Sequence, residues 1–309
     1  MDEQIDAKRG IVMNYRFNVI DEKKTDVIIC SDAKNEADDQ YAITHALLSP
    51  KLNVLGIIGS HFGNQRSDRS MMDSYLEIVK IGKMMDYDPS RIYKGIENPI
   101  SDRKREDISD GARFIIDSTL KSDKEIYIGV MGPLSDVAEA VLTCKEIAEK
   151  IHIIWTGTTY QEKEGDPCRE ANSRNDIEAL NIVMEYCPRF LAIPYEVYSK
   201  LQVSLAELQN KVFEKGEIGT YLFEQLEEVN RDISRKWALG ESWCLGDNAV
   251  VGALLNRHCV KKERKQRYMF EKNSLRMIDG YFEIAVDINE RFVLEDFFSK
   301  MQLISEIAR

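Results

Sequence analysis

The sequence predicts an α/β fold with a mostly parallel central sheet flanked by helices. Short apolar runs recur with helix-patterned stretches between most of them, and no repeat or low-complexity linker interrupts the alternation. The 309 residues, 43% hydrophobic and 31% charged, are enough to bury one large core. The strand-like runs are Asp26 to Ile29, Val54 to Ile58, Glu125 to Val130, Ile151 to Trp155 and Phe190 to Ile193. Between them Arg69 to Met85, Asp110 to Leu120, Leu134 to Leu142 and Asp176 to Met184 carry apolar residues at three-to-four spacing, the mark of amphipathic helices. Val203 to Asp232, rich in Glu, Lys and Leu, reads as helices, and Tyr281 to Ile288 and Phe292 to Phe298 as terminal strands or edges. We expect one domain over residues 1–309, with 1–24 as a peripheral segment and 195–245 as a helical insertion.

The first apolar run feeds Ser31-Asp32-Ala33-Lys34-Asn35-Glu36-Ala37-Asp38-Asp39-Gln40 and then an amphipathic segment ending at Leu48. A strand, loop and helix in that order set the loop at the carboxyl edge of the sheet, where such folds place their sites. Asp38 and Asp39 alone are ordinary helix caps that complement the dipole. Asp32, at the strand end, is not explained by capping. Carboxylates this close repel unless something positive lies between them, and a hard divalent cation with oxygen ligands meets that need.

Ile29-Cys30-Ser31-Asp32 through Asp38-Asp39 resembles the amino-terminal signature Asp-x-Asp-Pro-Gly-x-Asp-Asp of the inosine–uridine-preferring nucleoside hydrolases. Cys30 stands at the first aspartate, and Ala33 to Ala37 replaces the Pro-Gly step, as in a divergent branch with an Asn-Glu-x-Asp-Asp loop. The similarity continues through Pro50-Lys51-Leu52-Asn53-Val54-Leu55-Gly56-Ile57-Ile58 and Gly63-Asn64, and extends from Val27 to about Asn256. It implies a Rossmann-like, nucleoside hydrolase-like sheet, a Ca²⁺-dependent hydrolase of N-ribosidic bonds acting on nucleosides or related ribosides, and a homo-oligomer, dimer or tetramer.

Three further segments resemble the family's site. In Gly129-Val130-Met131-Gly132-Pro133-Leu134-Ser135-Asp136, Met131 takes the position whose main-chain carbonyl serves the metal, although Gly-Pro by itself only turns a strand into its helix. In Arg169-Glu170-Ala171-Asn172-Ser173-Arg174-Asn175-Asp176, Glu170 and Asn172 correspond to ribose-binding positions. Two residues apart in an extended segment they would project to the same side, and Asp176 would cap the next helix. Trp243-Cys244-Leu245-Gly246-Asp247-Asn248 resembles the His-Asp motif opening a late helix, with Gly246 where the family has the histidine proposed to protonate the departing base.

The resemblance therefore implies Asp32, Asp39, Asp247 and the Met131 carbonyl as Ca²⁺ ligands, with Asp32 also taking the proton of an attacking water. Asp38, Asn64, Glu170, Asn172, Asp247 and Trp243 would bind the substrate. For the missing acid the candidates are His61, at the carboxyl end of the second strand, and Tyr160 or Trp243. His45 and His152, within elements, read as structural histidines. A catalytically weak metal- and ribose-binding protein of the same fold is the alternative. An aspartyl-phosphate phosphatase is disfavoured because Lys34, not an acid, follows two residues after Asp32.

A formal charge of −11 argues against a nucleic-acid surface, and the basic run Lys261-Lys262-Glu263-Arg264-Lys265 reads as a solvated loop. No run reaches membrane-spanning length, and Met1 to Asp6 lack the basic-then-apolar pattern of a secretory signal. Cys30, Cys144, Cys168, Cys187, Cys244 and Cys259 show no paired spacing, which suits a reducing cytoplasm and argues against zinc.

Overall fold

The computed structural model describes residues 11–102, 108–162, 169–272 and 274–306. The chain opens with β1 (Ile11–Met13), followed by β2 (Thr25–Ser31), α1 (Asp39–Leu47), β3 (Leu52–Gly59), α2 (Ser70–Met84), β4 (Ile92–Lys94) and α3 (Asp110–Lys121). The middle holds β5 (Ile126–Met131), α4 (Ser135–Thr143), β6 (Ile151–Thr156), α5 (Ala171–Asn175), α6 (Ile177–Tyr186), β7 (Phe190–Ile193) and α7 (Tyr195–Tyr198). Next come β8 (Gln202–Ser204), α8 (Leu205–Lys211), α9 (Gly216–Arg231), β9 (Ser242–Cys244), α10 (Asn248–Leu255), β10 (Val260–Glu271), β11 (Ser274–Ile288), α11 (Glu290–Gln302) and β12 (Ile304–Glu306).

Eight strands form the central sheet in the order β10-β11-β7-β6-β5-β2-β3-β4. Every neighbouring pair is parallel except the β10–β11 hairpin. β2 is buried on both faces from Val27 to Ser31, as a central strand covered by helices must be, and for that reason it reads as a continuous apolar run. The chain steps from β2 to β3 and β4 on one side, then returns to β5 on the other. That reversal puts a switch point between the carboxyl ends of β2 and β5, where the crevice of an open α/β sheet lies. Two apolar cores result. One joins β2 and β3 side chains to α1, α2, α9, α10 and α11, and the other joins β5 and β6 side chains to α3, α4 and α6.

Two expectations are corrected. Phe292 to Phe298 lies inside α11, where Val293, Phe297 and Met301 are buried at four-residue spacing and Asn289 accepts from Phe292 N. Aromatic density outweighed that period in the sequence. The basic run Lys261 to Lys265 belongs to β10, a sheet edge whose charges blunt unwanted strand pairing, rather than to a loop. Within 195–245, α8 and α9 are joined by the small antiparallel pair β8–β9. The described cysteines Cys30, Cys144, Cys187, Cys244 and Cys259 are free, and Cys168 lies outside the described residues. Among the described residues no helix is long and apolar enough to cross a membrane.

Candidate active site

Asp32 follows β2 directly, and its N–H reaches the Met131 carbonyl at the end of β5, 3.5 Å away. The seam is tight at Gly132, where a Cβ would meet the Asp32 nitrogen at 3.2 Å and its Cβ at 3.1 Å. Asp38 and Asp39 open α1, and Asp247 stands at the N-cap of α10. Neither Asp38 nor Asp247 caps its helix through the side chain. Instead Asp38 Oδ2 accepts from Asp247 N at 3.3 Å, and carboxylate oxygens of Asp38, Asp39 and Asp247 lie within 4.8 Å of one another.

The other partners of these acids are neutral donors. Ser31 Oγ donates to Asp39 at 2.6 Å, Asn35 Nδ2 to Asp32 at 3.1 Å and Thr156 Oγ1 to Asp247 at 2.7 Å. Burial pushes all four carboxyls well above the usual aspartate range, and the charges of their neighbours push them further. Asp32 and Asp38 feel Asp247 most, Asp39 feels Asp32, and Asp247 feels Asp39. Crowded carboxylate oxygens that repel one another, with no positive side chain bonded to them among the described residues, form a donor set suited to a hard cation. The loop between them is braced: Gln40 Nε2 donates to the Ala33 carbonyl, Gln225 Nε2 to that of Ala37, and Arg66 and Arg235 both to that of Asn35.

Glu170 and Asp176 are placed differently. Residues 171–175 form the short helix α5 rather than an extended segment, and Glu170 is its N-cap. Its Oε1 accepts from Asn172 N and from Tyr198 Oη, its Oε2 from Ser173 N and Thr158 N. Four donors saturate a carboxylate, so Glu170 is spent on holding backbone. Asn172 donates its amide to the carbonyl of Thr156 at 2.9 Å, the same residue whose hydroxyl donates to Asp247. Asp176 caps α6 through Ala179 N, as expected, and also accepts from Ile100 N and Ser135 Oγ.

The inosine-uridine preferring nucleoside hydrolase pattern matches residues 27–290. The chain belongs to this family. The pyrimidine-specific ribonucleoside hydrolase RihB of Escherichia coli (strain SE11) is 28% identical over 173 residues, which are 50% of this chain and 55% of that protein. The chain thus spans only about half the length of the curated relatives it matches. A purine-preferring ribonucleoside hydrolase from Gardnerella vaginalis superposes with a TM-score of 0.73 at 19% identity, covering 90% of this chain and 98% of that one. The plant nucleoside hydrolase PpNRh1 enzyme gives 0.71 at 19% identity, with the same coverage. These likenesses establish a nucleoside hydrolase fold.

Several other residues that the nucleoside hydrolase resemblance suggests are engaged with partners other than the acids or line another cleft. His61 is fully buried, with Nδ1 accepting from Gly63 N at 3.1 Å and Nε2 on Ser135 Oγ at 2.7 Å, so both ring nitrogens are engaged. Asn64 is exposed and lines a separate cleft of about 260 Å³ with Glu97, Asn98 and Arg174. Trp243 is buried in the core and packs on Trp237, ring centroids 5.2 Å apart. Tyr160 donates its hydroxyl to Glu263 at 3.0 Å on an exposed surface. Tyr198 is the residue the sequence did not point to. Its ring lies beside Gly246 and its hydroxyl on Glu170.

Proposed function

We propose that this nucleoside hydrolase fold hydrolyses N-ribosidic bonds in a Ca²⁺-dependent reaction. The observation carrying the reading is the set of carboxylates Asp32, Asp39 and Asp247, buried, and Asp38, half-buried, with neutral hydrogen-bond donors as their partners among the described residues, at the switch point of the sheet. Asp39 and Asp247, which the structure groups with Asp38, would hold the cation together with Asp32 and the Met131 carbonyl beside it. A bound Ca²⁺ would polarise a water and offset the repulsion among these acids.

Asp32 takes the proton of that water, because Asn35 steadies one of its oxygens and leaves the other to accept. Asp38, Asn172 and Asp247 contact the ribose hydroxyls, while Glu170 fixes Asn172 by capping the turn that carries it. An anionic pocket favours a ribosyl group with oxocarbenium character, which is the charge this bond cleavage develops. His61, with both nitrogens engaged, positions the loop after β3 instead of protonating the base.

Calorimetry should show one Ca²⁺ per chain, lost in Asp39→Ala, and the loaded protein should release ribose from a nitrophenyl riboside. Unchanged calcium affinity in Asp39→Ala would remove the metal assignment. Binding of calcium and ribose without any release from the activated riboside would replace catalysis with the metal- and ribose-binding alternative.

A further inference from the structure

Thr158 lies just past the end of β6, fully buried, with φ at +66°. That left-handed region strains a β-branched residue, whereas glycine would enter it freely. The threonine is held there by hydrogen bonds on every side. Its N–H donates to Glu170 Oε2 at 3.1 Å and to Ser173 Oγ at 2.9 Å, and its carbonyl accepts from Tyr195 N at 3.0 Å. Its hydroxyl donates to Glu162 Oε1 at 2.8 Å and lies 3.0 Å from the hydroxyl of Tyr268 on β10. The last two bonds are what a glycine would lack, and they pin the joint in place.

The same stretch of chain carries two groups of the site. Thr156 donates its hydroxyl to Asp247 at 2.7 Å and offers its carbonyl to Asn172 Nδ2 at 2.9 Å. A carbonyl only accepts, so the amide nitrogen of Asn172 is the atom turned to it, and Asn172 Oδ1 remains to accept from a ligand O–H. Asn172 rides on α5, whose cap Glu170 accepts from Asn172 N and Ser173 N. Thr158 N bonds both Glu170 and Ser173, so the joint ties the turn carrying Asn172 to the strand end carrying Asp247.

We propose that Thr158 is a positioning residue for sugar binding: its left-handed backbone, pinned by its hydroxyl, sets Asn172 Oδ1 relative to Asp247 so that both meet one sugar. This rests on the reading of the site as a riboside hydrolase. Being fully buried, Thr158 touches neither sugar nor cation and acts through α5. Asp247 hangs on Thr156, on the other side of the joint, so a change at 158 falls on the sugar and not on calcium.

The test is calorimetry of Ca²⁺ and of a ribose-like iminosugar on the full chain, with KM and kcat measured on nitrophenyl riboside. Thr158→Gly relaxes the backbone but frees the joint from Glu162 and Tyr268. It should raise the iminosugar Kd and the KM about tenfold, the worth of one ordinary hydrogen bond, with kcat and calcium affinity little changed. Thr158→Ser keeps the hydroxyl and should recover the sugar affinity. Tyr268→Phe, which removes one anchor from the hairpin side, should weaken the iminosugar severalfold and leave calcium alone. Parental sugar affinity in Thr158→Gly overturns the proposal, as does a loss of calcium affinity equal to the loss of sugar affinity, the mark of a general support of the fold. Where Thr158→Gly does not fold, Tyr268→Phe carries the test, and parental sugar affinity in it overturns the proposal. A parent protein that binds no iminosugar overturns the hydrolase reading itself.

Discussion

Two pairs of helix N-termini border the same crevice, and they use their carboxylates in opposite ways. Glu170 and Asp176 spend theirs on backbone N–H groups of α5 and α6. Asp38 and Asp247 occupy the same position on α1 and α10 and make no side-chain cap bond. Residue type and local position are alike in both pairs. The difference is that Asp38 and Asp247 are aimed at each other and at Asp32 and Asp39, so their oxygens stay available to a ligand while those of Glu170 and Asp176 are built into the fold.

The largest effects should separate the two pairs directly. Asp247→Asn should weaken Ca²⁺ by about 100-fold or more, erasing about 2 kcal/mol or more of calcium-dependent stabilisation at an ion concentration 100 times the parent Kd, yet it should not lower the melting temperature in chelator. A melting temperature that falls in chelator would mean Asp247 also serves the fold. Asp176→Ala should do the reverse, leaving Ala179 N, Ile100 N and Ser135 Oγ without their acceptor and costing about 4 kcal/mol in denaturant titrations, with calcium affinity of the folded protein retained.

On the uncapped side, α1 and α10 are fastened from behind. His45 holds Asp296 through Nε2 at 2.8 Å and Asn248 through Nδ1 at 3.1 Å, and Lys300 bonds Asp296 and Ser49. Burial pushes the imidazole down from 6.5 to about 4, so it is neutral in the folded protein. Its contribution is complete above the unfolded value of 6.5 and is lost as pH falls towards 4, about 3 kcal/mol at most. Denaturant titrations at several pH values should show this loss and a flatter profile for His45→Gln. An identical profile in that variant would rule out His45 as the source. The smallest effect concerns the capped side's one ligand group: Asn172→Ala should weaken a ribose-like iminosugar by about 1–3 kcal/mol without changing calcium affinity. Equal sugar affinity in the variant would remove Asn172 from the pocket.

Much of the fold was legible because β2, β3, β5, β6 and β7 are short apolar runs whose periodicity survives without tertiary context. The acid loop was legible too, since Asp32 at a strand end has no local explanation. The hairpin β10–β11 was harder to see because an edge strand carries charges that mimic a loop, and α11 because its aromatics suggested a strand. The sequence suggests an extended segment at Glu170 and Asn172, because a one-turn helix leaves no periodic signal in five residues. Tyr198 was invisible, because its meaning depends on a glycine 48 positions away that only folding brings beside it.

The bond from Asp247 to Asp38 closes a loop of 209 positions. Residues 32 to 39 emerge early in synthesis, and their partner arrives only after β2 to β7 of the central sheet and the helices α8 and α9 have been made. An amino-terminal fragment stopping short of residue 247 therefore contains most of the acids but not the complete pocket. Whatever ion the pocket takes rewards only the chain that has formed its most distant contacts, so ligand affinity acts late in folding, as a check on completion and not as a nucleus.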